Sequence, residues 1–229
     1  MSRIEVRIVQ TLMSRKPNQW GILFGGTLIL LSSLLSLRAW EDEALFQWAM
    51  SSRDLVFQQG QYYRLITAIF LHGDLGHLLS NSYMLLVLSI FVFGTLGISN
   101  RGSFVLLLYS FLGAVAVQAM TLMSYPAQVG LLGASGWVYL LAGFWFFNYL
   151  WIDRRRKFFN RWIRVIGVSL VILFPTTFEE NVSYLAHLYG FIVGALFALG
   201  YFITMRSRVR QFEEVQILNE EFLPEEPLD

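Results

Sequence analysis

A chain of 229 residues that is 55% hydrophobic and 16% aromatic but only 14% charged has too little polar surface for a soluble domain and reads as a polytopic membrane protein. Its formal net charge of +1 points to no partner, nucleic acid included, because in such a chain the placement of lysine and arginine between spans matters more than their sum. The absence of cysteine excludes disulfides, thiolate metal sites and cysteine nucleophiles.

Residues 1–19 are basic, with Arg3, Arg7, Arg15 and Lys16 against Glu5. The uncharged run from Trp20 to Leu37 follows. It is longer than a signal-peptide core and no small-residue cleavage site comes after it, so it is expected to remain as an anchor. Residues 38–74 interleave Glu41, Asp42, Glu43, Arg53, Asp54 and Arg64 with Trp40, Phe46, Trp48, Phe57, Tyr62 and Tyr63. That density suits a structured first loop lying in the headgroup layer.

Uncharged runs recur at about 75–96, 104–123 and 135–151, with a shorter one near 165–178 and a last at 183–204. The long runs meet the roughly 20 apolar residues a bilayer core requires. The short one spans only if Arg161 and Arg164 reach back to the headgroups. Basic residues fall at Arg101, at Arg154, Arg155, Arg156, Lys157 and Arg161, and at Arg206, Arg208 and Arg210, whereas the third connection has no charge and the fifth only Glu179 and Glu180. This alternation predicts six spans with both termini cytoplasmic. The expected layout is a basic cytoplasmic segment at 1–19, a six-span domain at 20–204 and a cytoplasmic tail at 205–229, acidic and mobile from Gln211 onward. Absence of a transit-type extension favours a bacterial cytoplasmic membrane. The RRRK cluster is most simply a topology determinant.

Ionisable groups inside spans are costly and mark functional sites. All three histidines lie in or beside spans. In FLHGDLGHLLSN, His72 precedes the second span, and His77 and Asn81 share one helix face at a spacing of four. His187 opens the last span in YLAHLYGFIVG, where Gly190 and Gly194 form a small-xxx-small pair for close helix packing. Ser135 sits in LLGASGW, with Pro126, Gly130 and Gly133 breaking any helix before it. Taken alone, Ser135 between glycines is as well explained by packing. The topology, however, starts the second, fourth and sixth spans on the outer side, which brings His77, Asn81, Ser135 and His187 to one depth. A serine hydroxyl needs a base such as neutral histidine, and acyl transfer needs donors at the developing oxyanion; Asn81, His77 and the Ser135 backbone N–H are suitable types.

Two rival chemistries fit less well. A zinc site lacks the spacing of paired ligands and an acidic neighbour for His187. A histidine-based transporter would want acidic partners within the spans and an internal repeat.

GQYYRLITAIFLHGDLGHLLSN at 60–81, GASG at 133–136 with Tyr139 a turn later, and AHLYGFIVG at 186–194 together resemble the rhomboid intramembrane serine proteases. The resemblance implies an all-α, six-transmembrane-helix bundle with an interfacial first loop, and an endopeptidase acting on transmembrane or juxtamembrane segments of membrane proteins without a cofactor. Residue by residue it implies Ser135 as nucleophile and His187 as base in a dyad without an acid, His77 and Asn81 as oxyanion donors, and Tyr139 packed against the base. Arg64 after Tyr63 matches an aromatic-arginine pair in the first loop, where tryptophan is the commoner aromatic. Trp137 is bulkier than the family's usual residue. His72 and Arg64 are expected to brace the first loop. The fifth span and its PTTFEENV loop resemble a lateral gate and cap. A rhomboid-like protein that binds clients without cutting them is the remaining alternative, against which stands the retention of both Ser135 and His187.

Overall fold

The computed structural model describes residues 4–173 and 182–219, and it is mostly helical. Helix α1 spans Trp20–Glu41, α2 Glu43–Ala49, α3 Arg64–Phe70 and α4 Leu75–Ser89, the last prolonged by π-helical turns over Ile90–Leu96. Then come α5 at Asn100–Ser124, α6 at Ser135–Ile152, α7 at Phe158–Leu173 and α8 at Tyr184–Arg210. Side-chain caps define several starts: Asp74 accepts from the His77 N–H, Ser99 from Gly102 and Ser183 from Ala186, satisfying donors that a helix leaves unpaired.

Four helices among the described residues are long and apolar enough to cross a membrane: α1, the continuous Leu75–Leu96 helix, α5 and α8. Helix α6 is 18 residues long and carries thirteen buried positions, including Trp137, Leu140, Leu141 and Phe144. It is the centre of the core, and α8 is its principal neighbour. The α6–α8 seam is lined by glycines. A Cβ on Gly194 would run into the Leu140 carbonyl, one on Gly190 into that of Gly136, and one on Gly143 into that of Phe191. Only glycine lets the two backbones approach this closely.

Helix α7 begins seven residues before the run expected at 165–178, so it takes in Arg161 and Arg164. Its aromatic and basic first turns hide it from a search for uncharged segments. It packs chiefly on α6 and leaves Ile163, Ile166 and Leu170 about half exposed or more. The PTTFEENV loop falls almost wholly at 174–181, outside the described residues.

Beside the helices lies a two-stranded antiparallel ribbon. Strand β1 (Ile4–Gln10) pairs with β2 (Glu214–Asn219), with Val6 opposite Ile217 and Ile8 opposite Val215. The first part of the tail is therefore paired with the N-terminal segment, where a mobile acidic tail was expected. Alternation of apolar and polar residues in both stretches suits a ribbon. The ribbon is fastened by the Arg154–Glu213 pair and by Arg15 over the Phe212 ring at 4.4 Å. Nearby, Asp153 is fully buried, receives the Arg155 guanidinium through two contacts of 2.6 and 3.1 Å, and accepts from Thr11. Burial raises the Asp153 pKa, but the bonds from Arg155 and Tyr149 outweigh it and the carboxyl is held below its ordinary value.

Candidate active site

Ser135 is the first residue of α6, and the turn before it has a defined shape. Gly133 adopts φ +104°, and a Cβ there would fall 2.6 Å from the His77 ring. Both the dihedral and the contact require glycine. The Gly133 N–H donates to the Ala68 carbonyl at 2.8 Å. Ser51 and Leu131 exchange backbone bonds, the Ser51 hydroxyl adds a bond to the Leu131 carbonyl at 2.8 Å, and Gln118 donates to that hydroxyl at 2.9 Å. The Asp54 N–H donates to the Ala127 carbonyl. The first loop thus cradles the whole segment leading to Ser135.

That loop is itself held by Arg64, which is 7% exposed. Its guanidinium donates to the Gln47, Trp48 and Met50 carbonyls and to the Gln61 side chain. Several carbonyls converging on one buried cation satisfy both its charge and its donors. Tyr63 stacks on Trp48 at 5.1 Å, completing the aromatic-arginine arrangement. Arg64 accordingly braces the first loop, as its sequence context implies.

His72 does more than brace that loop. Fully buried, it takes a backbone bond from its own N–H to the Ser36 hydroxyl, and its carbonyl accepts from Trp40 Nε1 at 2.8 Å. Its ring lies across two partners, with Nδ1 at 3.3 Å from the Phe70 carbonyl and Nε2 accepting from the Ala134 N–H at 3.5 Å. It therefore ties α1 and α3 to the residue preceding Ser135. Burial, and then the neighbouring His77, lower its pKa from 6.5 to about 4, so the ring stays neutral and able to accept.

The other expected residues gather at the same ends of α4, α6 and α8. His77 lies in the first turn of α4, 4.9 Å from the His72 ring and against Gly133. Asn81 is buried one turn on, donates to the His77 carbonyl at 2.9 Å, and leaves its Oδ1 unbonded among the described residues. His187 is 5% exposed in the first turn of α8 and stacks face to face on Tyr139 of α6, centroids 3.9 Å apart and planes 9° from parallel. Its Nε2 is buried without a hydrogen-bond partner among the described residues. Gly190 and Gly194 continue the seam below that stack. Trp137 is buried against Phe111 of α5 at 5.4 Å, so its bulk packs into the core.

Serine, two histidines, asparagine and tyrosine thus meet where three helices begin, without any group of acidic, histidine or cysteine side chains among the described residues able to hold a metal. Sequence reasoning missed Ser36, Trp40, Ser51 and Gln118, each of which acts through a partner far along the chain. Polar side chains within the apolar helices α1 and α5 were the signal for Ser36 and Gln118, Trp40 read only as an interfacial aromatic, and Ser51 in the first loop gave none.

Long apolar helices around a polar cluster define an integral membrane protein. A rhomboid domain matches residues 59–204, well over half of the 229-residue chain, and the chain belongs to the rhomboid family. No curated protein matches it.

Proposed function

We propose that this chain is an intramembrane serine endopeptidase that cleaves transmembrane or juxtamembrane segments of membrane proteins through Ser135 and His187. The observation that carries the reading is the Tyr139–His187 stack: a ring four residues after Ser135 on α6 packs on the imidazole of α8, across a seam where only glycine fits between the two backbones. Residues four apart lie one above the other on a helix face, so the stack orients His187 beside the start of α6.

In this reading His187 takes the Ser135 proton as the hydroxyl oxygen attacks the scissile carbonyl, then gives it to the departing amine. Water, activated by the same ring, hydrolyses the acyl-enzyme. Asn81 Nδ2, with one hydrogen spent on the His77 carbonyl, has a second for the oxyanion. His77 and the Ser135 N–H at the α6 N-terminus are further donors. The unbonded His187 Nε2 is a base whose hydrogen bond closes with substrate in place.

The arrangement in the bilayer follows the charge alternation. Helices α6 and α7 join the four long apolar helices to make six spans, the first loop lies at the outer headgroups, and both termini lie in the cytoplasm of a bacterium. Residues 20–204 form the catalytic unit, and α7 is its gate. The alternative is a family member that binds clients without cutting, against which the retention of both Ser135 and His187 stands.

Reconstituting the protein in liposomes with a single-span substrate distinguishes the two. Cleavage in wild type that falls at least roughly a thousandfold in Ser135→Ala and in His187→Ala supports the peptidase. Client binding without cleavage in wild type supports the second.

A further inference from the structure

At the end of α6 opposite Ser135, a cavity of ≈ 340 Å³ lies between the C-termini of α6 and α8 and the first turns of α7. Arg154, Arg161, Arg210 and Glu213 line it together with apolar walls such as Trp151 and Phe202. The structure divides the basic cluster that the sequence presents as one run. Arg155 is occupied by Asp153, Arg154 turns into the cavity, and the exposed Arg156 and Lys157 do not line it.

The charges in the cavity do not balance. Glu213 meets Arg154 at 3.3 Å. Arg161 donates from one terminal nitrogen to the Leu150 carbonyl, and its guanidinium lies 5.3 Å from the Phe158 ring. Its Nε is buried with no partner among the described residues. Arg210 has no ion-pair partner among the described residues. Among the described residues, three guanidiniums therefore face one carboxylate, and a buried N–H donor has no partner. Arg154 and Arg210 are exposed to solvent and Arg161 is half-buried, so the desolvation cost falls on Arg161, and an anion shared by the three would relieve both that cost and their mutual repulsion. The Leu150 carbonyl offsets part of one charge, as a cation at a helix C-terminus does, but it leaves the Arg161 Nε open.

We infer that this cavity binds a phosphoryl group, carried either by an anionic phospholipid headgroup or by a small phosphate-bearing solute. Guanidinium forks match phosphate oxygens in pairs, and several can share one tetrahedral group. Glu213 then acts as a resident competitor that a phosphate must displace from Arg154. In the proposed topology the cavity opens at the cytoplasmic headgroup layer, where anionic lipids attract basic residues.

The test uses the full chain, stripped of lipid in detergent, with lipid retention read by native mass spectrometry after exposure to phosphatidylglycerol or phosphatidylcholine. Wild type should retain phosphatidylglycerol at least tenfold over phosphatidylcholine. Arg210→Gln and Arg161→Gln should each reduce retention about fivefold, the equivalent of ~1 kcal/mol per basic residue at an anionic surface. Glu213→Gln should increase it, and Arg156→Gln with Lys157→Gln should leave it unchanged. A parallel arm measures the melting temperature in millimolar inorganic phosphate. A rise lost in Arg210→Gln, without selective lipid retention, assigns the site to a phosphate-bearing solute; selective retention assigns it to a headgroup. Equal losses in the Arg156/Lys157 variant, a decrease in Glu213→Gln, or neither lipid selectivity nor a phosphate-induced rise would overturn the inference. Cleavage activity is not a readout here, so the result stands apart from the proposed chemistry.

Discussion

The seam between α6 and α8 and the flank formed by α7 are built on opposite terms. In the seam, glycines bring backbone against backbone, with no room for a Cβ at Gly190, Gly194 or Gly143. On the flank, a Cβ at Gly167 would meet nothing within 4 Å, and large apolar side chains point outward. Glycine in the seam is an interhelical packing surface; glycine in α7 is only a weak helix residue. The difference shows where this molecule invests rigidity: along the two helices that carry Ser135 and His187, and not along the helix beside them. The gate proposed for α7 would need the looser kind of packing, since moving elements come from the less stable end of a structure.

Breaking the seam should have the largest effect. Gly194→Val puts branched carbon into the Leu140 carbonyl and should cost roughly 3 kcal/mol or more, with the melting temperature falling steeply and the helices separating. An unchanged melting temperature would mean that the seam has more slack than its geometry allows.

Asn81→Ala should spare the fold and lower turnover by about a hundredfold, read as kcat on a membrane substrate. His77 and the Ser135 N–H remain as donors, so activity should not vanish. A variant of undiminished kcat would remove Asn81 from the oxyanion site.

His72 offers a way to sharpen the comparison with pH, because it is the tie between the first loop and the Ala134 turn. Its folded pKa of about 4 lies below the ordinary 6.5, so between those values the unfolded chain binds a proton that the folded chain does not. Stability is therefore fully present above pH 6.5 and is lost as pH falls towards 4. The melting temperature should drop over that window, and His72→Gln should flatten the drop. A profile identical in the two proteins would place the titration elsewhere.

The smallest effect should come from Gly167→Ala on the flank. The same class of change that ruins the seam should here stabilise by about 0.5–1 kcal/mol, through helix propensity alone. A loss of stability would show that α7 is packed more closely than its open surface suggests.

Much of this was readable in the sequence, because membrane solvation writes itself into local patterns. Long apolar runs gave the helices, and the alternation of arginine-bearing connections with connections that lack basic residues pointed to one level for Ser135, His77, Asn81 and His187. The structure gathers them at the starts of α6, α4 and α8, with Tyr139 on His187. Pairings across long stretches of chain left no local pattern. Ser51 with Leu131, His72 with Ala134, and β1 with β2 are each fixed by three-dimensional proximity, and the last joins ends that read separately as a basic segment and an acidic tail. Helix α7 starts seven residues ahead of the expected run because Arg161 and Arg164 interrupt the uncharged stretch without breaking the helix.

The proposed chemistry makes Ser135 a nucleophile activated by His187. Treating detergent-solubilised protein with a fluorophosphonate probe tests it most directly, with Ser135→Ala and His187→Ala alongside. Wild type should label covalently at Ser135, and both variants should lose labelling at unchanged melting temperature. Labelling that survives the loss of Ser135, or a folded wild type that neither labels nor cleaves, would contradict it.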